Sequence, residues 1–181
     1  TQVIPVKEQM VLDGTFPTVK SPNPENPEGF YLAVDLAKEV GSDLILGTDP
    51  DSDRVGVMVR GADGEYHTIT GNQMGVLLLD YIITARRRKG TLPENAAAIS
   101  TIVTSKMVRR ICDVNNIHFD ETFTGFKFMA EKLAEYQRDG SYQYVLAFEE
   151  SYGYMMGDYV RDKDAVTACV MITEMAAYYF E

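Results

Sequence analysis

Residues Gly47 to Val57 read GTDPDSDRVGV, which sets aspartates at 49, 51 and 53 and an arginine at 54. The loop follows the apolar run Leu44 to Gly47, which reads as a short buried strand, and Pro50 blocks a regular ladder beyond it. Asp49, Asp51 and Asp53 can curl so that their carboxylates converge. In a partly buried loop that repulsion is costly, and a hard divalent cation with oxygen ligands removes it. Arg54 can pair with one carboxylate or hold a phosphate bidentately. An EF-hand is excluded, because it needs glycine at its sixth position and glutamate at its twelfth; counted from Asp49, these are Arg54 and Arg60. Magnesium suits the set better than calcium, although three carboxylates exceed its usual complement. The competing reading is an acidic surface turn, since Asp, Pro and Ser are ordinary turn residues.

Two other loops carry chemistry. In ETFTGFK, Gly125 opens a helix, so backbone N–H groups and the positive end of the helix dipole are expected beside Thr124 and Lys127. In FEESYGYMMGDYVRDKDA, Glu149, Glu150 and Ser151 stand at a strand end and suit sugar hydroxyls, which donate and accept hydrogen bonds. Lys163, in a run of alternating charge, suits a phosphate or a proton transfer. Taken singly, these two loops read better as a plain helix cap and a solvated turn with a mixed-charge helix start.

The elements that position these loops follow from periodicity. Residues 1 to 27 hold no sustained pattern, and FPTVKSPNPENPEG carries four of the seven prolines, which predicts an irregular surface segment. A helix is predicted from Glu28 to Gly41, with Leu32, Leu36 and Val40 at helical spacing. DLILGT, VGVMVRG and EYHTIT read as strands, the last two as a hairpin across ADGE. A long helix from about Asn72 to Lys89 ends in three arginines and a lysine that complement its dipole. Then come a strand AAAISTIV, a helix capped by Ser105, a strand IHFDETF, a helix from Gly125 to Gly140 and a strand YQYVLAFEES. The last helix, about Asp164 to Phe180, is apolar nearly all round. Alternating strands and helices predict α/β architecture, layered α/β/α with mixed β-sheets, the hairpin supplying the mixture, and a boundary near residues 66 to 72.

Composition narrows the class. The chain has 181 residues, 45% of them hydrophobic and 24% charged, with a net charge of -10. That charge opposes non-specific binding to nucleic acid or an anionic membrane, and no apolar run approaches the roughly 20 residues of a membrane span. Cys112 and Cys169 read as buried free thiols of a reducing compartment. No secretory signal is visible, and the first residue is Thr1; a cytoplasmic piece of a longer protein is expected.

The three loops together resemble the α-D-phosphohexomutase superfamily. GTDPDSDR is similar to its metal loop, D-x-D-x-D-R after a strand; TGFK to its third-domain loop; FEESYG to its sugar-recognition loop; RDKDA to the lysine-bearing stretch beyond. EES with TGFK looks more like the phosphoglucomutases of the phosphoglucomutase/phosphomannomutase family than like phosphoglucosamine mutases. The resemblance implies four domains around one cleft, with residues 1–69 the C-terminal part of metal-binding domain 2 and residues 70–181 sugar-recognition domain 3. It assigns Mg²⁺ to Asp49, Asp51 and Asp53, a hexose phosphate substrate to Thr124, Gly125, Lys127, Glu149, Glu150 and Ser151, and catalytic roles to Lys163 and Arg54.

The implied reaction interconverts glucose 1-phosphate and glucose 6-phosphate through a bisphosphorylated sugar and an enzyme phosphoserine. Neither a T-A-S-H-N-P-type serine stretch nor an R-x-S-G-T-type phosphate loop is present, so domains 1 and 4 of the parent are missing and the isolated chain is expected to be inactive. Alternatives are a phosphomannomutase or bifunctional hexose-phosphate mutase, a stand-alone Mg-dependent phosphatase built on Asp49, and a non-catalytic sugar-binding module.

Overall fold

Apolar periodicity and glycine stops divide the chain where its elements end. The computed structural model describes residues 1–180. Helix α1 spans Tyr31–Val40, after a 3-10 turn at Pro27–Phe30, and Gly41 ends it in the left-handed conformation. Strands β1 (Leu44–Thr48), β2 (Val55–Arg60) and β3 (Tyr66–Ile69) follow. They form one antiparallel sheet in that order, with Leu44 opposite Val59 and Thr48 opposite Val55.

The second unit begins at α2 (Gly71–Lys89), started by a capping box between Thr70 and Gln73. Next come β4 (Ala96–Thr101), α3 (Met107–Asn115), β5 (His118–Thr122), α4 (Phe126–Asp139), β6 (Gln143–Glu149), β7 (Gly153–Met155) and α5 (Ala165–Phe180). The sheet order is β5-β4-β6-β7; β4 pairs in parallel with β5 and β6, and β7 runs antiparallel to β6. Side chains of a strand alternate between faces. On one face Ala96 and Ala98 meet α2, α3 and α5; on the other, Ala97 and Ile99 meet Phe126, Met129, Leu133 and Tyr136 of α4. This is the α/β/α layering expected. Val55 and Val57 of β2 join the same core as Leu78, Phe148 and Tyr154, so hydrophobic contact is continuous between the two sheets.

Several details differ from the sequence reading. The mixed sheet owes its antiparallel strand to β7, not to the 55–69 hairpin, which lies in a purely antiparallel sheet. Three residues are too few to show a period, so β7 left no signal. The strand predicted over AAAISTIV stops at Thr101, because Ile102 and Val103 enter an exposed turn. The N-cap of α3 is Lys106 rather than Ser105, although Ser105 Oγ accepts the Met107 N–H at 3.3 Å. Cys112 is buried and Cys169 only partly so. Helix α5 buries Ala165, Ala168, Ile172 and Met175 but exposes Val166, Val170 and Phe180.

Two sites test this packing. A Cβ at Gly75 would stand 2.0 Å from a ring carbon of Phe148, which is itself fully enclosed. Alanine there gains about 1 kcal/mol of helix propensity, but overpacking costs about 1–3 kcal/mol or more. Gly75→Ala is expected to lower the melting temperature measured by circular dichroism. At the sheet's other end, burial tends to raise the Asp120 carboxyl, yet the Tyr136 hydroxyl, donating at 2.5 Å, and the nearby Lys132 and His118 hold it below the ordinary value of 3.8. A depressed carboxylate stabilises the fold above its unfolded pKa and loses that stabilisation as pH falls through the folded one. Urea unfolding between pH 2 and 6 should therefore show a shallower acid limb in Asp120→Asn than in the wild type.

Candidate metal and substrate site

Residues 49–54 are the tight connection between β1 and β2. The Asp49 N–H donates to the Arg54 carbonyl, Ser52 N–H donates to the Asp49 carbonyl, and Ser52 takes a left-handed φ of 57° that reverses the chain. Asp49 is 3% exposed. One of its oxygens accepts the N–H groups of Asp53 at 3.1 Å and Arg54 at 3.0 Å; the other accepts Arg54 Nε at 2.8 Å. Asp53 is half-buried and Asp51 exposed. One oxygen from each of Asp49, Asp51 and Asp53 lies within 4.8 Å of the others. The carboxylates thus converge, as their spacing allowed.

Two cations answer the repulsion. Arg54 bonds Asp49 and also reaches Glu25 at 3.5 Å and Asp53 at 3.8 Å. Lys163 Nζ lies 2.9 Å from Asp53 Oδ2. Burial works to raise the Asp49 carboxyl, but the Arg54 N–H and guanidinium outweigh it and keep the group below the ordinary value. Asp53 goes the other way: burial raises it, Lys163 opposes the shift, and the neighbouring Asp49 adds to it.

The second rim begins at the end of β6. Glu149 is buried; its Oε1 accepts the Gly125 N–H at 2.6 Å and its Oε2 accepts Ser151 Oγ at 3.3 Å. Glu150 points elsewhere, with its Oε2 accepting Thr101 Oγ1 at 2.9 Å. Glu149, Ser151 and Gly125 therefore form one cluster, with Thr124 exposed beside it. The Gly125 N–H, expected to stand free, is committed to Glu149. Lys127 is exposed, its ammonium 4.7 Å from the Phe128 ring centroid, and it joins neither rim.

Backbone joins the two rims. Arg54 and Gly153 form an antiparallel bridge, Val55 N–H donates to the Tyr152 carbonyl at 3.1 Å, and Ala165 N–H donates to the Ser52 carbonyl at 3.0 Å. The Lys163 stem crosses Gly153, where a Cβ would stand 2.2 Å from Lys163 Cδ. Its ammonium lies 5.0 Å from the Phe126 ring centroid. Gly153 and Phe126 fall within FEESYG and TGFK, but the sequence assigns them no role at the site, and it does not single out Glu25. Gly153 carried a faint signal as a glycine between tyrosines, and Glu25 carried none inside its proline-rich segment.

The donor set suits a hard divalent cation. It is all oxygen, one carboxylate is buried, and each carboxylate offers about four lone-pair sites, more than the protein donors here occupy.

Two layered α/β units joined at an acidic strand-end loop, facing a Glu-Ser strand end, define the class. The sequence profile described as phosphoglucomutase/phosphomannomutase, alpha/beta/alpha domain III, matches residues 70–180, and the corresponding domain II profile matches residues 1–64. The chain belongs to the phosphoglucomutase/phosphomannomutase family. It is 38% identical over 172 residues to a phosphoglucomutase of Staphylococcus aureus strain USA300, an alignment covering 95% of this chain. The chain spans only 30% of that relative's length. A putative phosphomannomutase from Thermus thermophilus shares the fold with a TM-score of 0.69 at 22% identity, over 89% of this chain and 33% of its own. An N-acetylphosphoglucosamine mutase from Aspergillus fumigatus, solved with GlcNAc-6P and magnesium, has a TM-score of 0.57 at 13% identity, over 86% and 39%.

Arg54→Met would leave buried Asp49 with two backbone N–H donors and no counter-charge. Breaking a fully buried pair costs about 3–5 kcal/mol, and Arg54 is partly solvated, so a loss of about 2 kcal/mol is expected in urea unfolding at pH 7. A change within error would mean that the backbone donors alone satisfy Asp49.

Proposed function

We propose that this chain supplies the metal loop and the sugar-reading rim of a phosphoglucomutase that interconverts glucose 1-phosphate and glucose 6-phosphate. In this reading residues 1–69 are the C-terminal part of the metal-binding domain, and residues 70–181 the sugar-recognition domain. The phosphoserine and the phosphate-gripping loop come from other parts of a longer, cytoplasmic parent. The observation that carries the reading is the junction of the two rims, where Lys163 touches Asp53 while lying across Gly153, four residues after Glu149. No helix among the described residues is long and apolar enough to cross a membrane.

Asp49, Asp51 and Asp53 would hold Mg²⁺, which neutralises charge on a transferring phosphoryl group. The rest is the work of side chains. Glu149, fixed by the Gly125 N–H, keeps lone pairs for a sugar hydroxyl, and Ser151 can donate or accept beside it. Thr124 is exposed at the same rim. Lys163 meets the substrate phosphate or moves a proton, and Arg54 supports the phosphoserine side. A sugar-phosphate hydroxyl takes the phosphoryl group from the phosphoserine. The bisphosphate turns over, and its other phosphate returns to the serine. Recognition through hydroxyls at both ends of the sugar tolerates this reversal, because hydroxyls present the same donor and acceptor chemistry in either orientation.

The 181-residue chain alone should give no isomerisation of glucose 1-phosphate in a dehydrogenase-coupled assay. A longer polypeptide that adds the flanking domains should turn over, and Asp51→Asn should reduce its rate about a thousandfold, matching several kcal/mol of metal stabilisation. Turnover by the chain alone would refute the split-site account. Phosphate release by the chain alone, abolished in Asp49→Asn, would favour a stand-alone phosphatase. A greater rate on mannose 1-phosphate would move the assignment to a phosphomannomutase.

A further inference from the structure

Lys163 occupies an unusual place. Its side chain is 18% exposed, although a lysine ordinarily carries its ammonium into water. Three neighbours hold it there: Gly153 below the stem, Phe126 beside the ammonium, and Asp53 Oδ2 at 2.9 Å. Asp162 Oδ1 is a second partner at 3.1 Å and is largely exposed. The ammonium thus sits between one oxygen of the acidic triad and one outside it. Asp53 is the one member of the triad that it touches, and Arg54 covers the other side of Asp49.

We propose that Lys163 is a built-in counter-cation for the acidic loop, and that a divalent ion binding Asp49, Asp51 and Asp53 displaces it from Asp53 onto Asp162. This inference rests on the metal-loop reading above. Its physical basis is simple. A divalent cation and an ammonium on one carboxylate repel strongly at contact distance, and the repulsion is poorly screened where both are partly buried. Lys163 can yield without becoming unpaired, because Asp162 already holds it at nearly the same distance. Metal occupancy would then leave the ammonium paired with Asp162 alone and clear of Asp53. In this role Lys163 is a positioning residue toward the metal, whatever it later does to substrate.

The test is calorimetric titration of Mg²⁺, repeated with Mn²⁺, into the 181-residue chain at constant ionic strength. Lys163→Met is expected to bind about tenfold more tightly than the wild type, since its competitor is gone, and Asp51→Asn more weakly. Equal or weaker binding by Lys163→Met overturns the proposal while leaving the metal loop intact. Absence of binding to every variant overturns both readings. Amine-reactive labelling followed by mass spectrometry needs no variant and covers the case in which Lys163→Met fails to fold. Labelling at Lys163 should rise several-fold on saturation with Mg²⁺, while Lys7 and Lys20 in the exposed N-terminal segment stay constant. Unchanged labelling at saturating metal overturns the proposal.

Discussion

Three carboxylates held within 4.8 Å repel one another, and the structure around residues 47–57 is arranged to contain that repulsion. The backbone answers part of it, with two N–H groups aimed at one oxygen of Asp49. Arg54 answers another part from within the loop, and Lys163 completes it from the far side of the chain, more than 100 residues away in sequence. The last contribution requires the two sheets to be docked. It also requires Gly153, because any side chain there would collide with the lysine stem. A charge problem created locally is thus solved by tertiary packing, and the packing that solves it brings the strand-end glutamate, Glu149, to the same junction.

The second unit supplies the rigid frame for that junction. A four-stranded sheet covered by α2, α3 and α5 on one face and α4 on the other leaves the strand ends as the sites where polar groups can gather. Glu149 ends β6 and Gly125 opens α4, and the hydrogen bond between them ties a strand end to a helix start. The turn that begins at Glu150 separates two adjacent glutamates: Glu149 accepts from Ser151, while Glu150 braces Thr101 at the end of β4. One carboxylate ties β6 to the start of α4 and the other fastens β4.

Membership of the phosphoglucomutase/phosphomannomutase family agrees with this division of labour, since separate domain profiles cover the two halves of the chain. Spanning 30% of a curated relative, the chain carries two rims that meet at Lys163.

Much of this was legible in the residues. Every α-helix and six of the seven strands among the described residues were foreshadowed, because amphipathic spacing, a proline-poor body and glycine stops act over a few neighbouring residues. Convergence of Asp49, Asp51 and Asp53 was legible for the same reason, as was the pairing of Arg54 with a carboxylate. Strand β7 was not, because its three residues are held in place by β6 and by the bridge to Arg54 rather than by any period of their own. Nor was the separation of Glu149 from Glu150, the departure of Lys127 from the rim, or the seat of Lys163 against Asp53. Local propensity and charge pattern determined which loops would gather charged and polar side chains. Only the docking of one sheet on the other decided which of their side chains meet, because contacts between residues far apart in sequence depend on packing that no short stretch encodes.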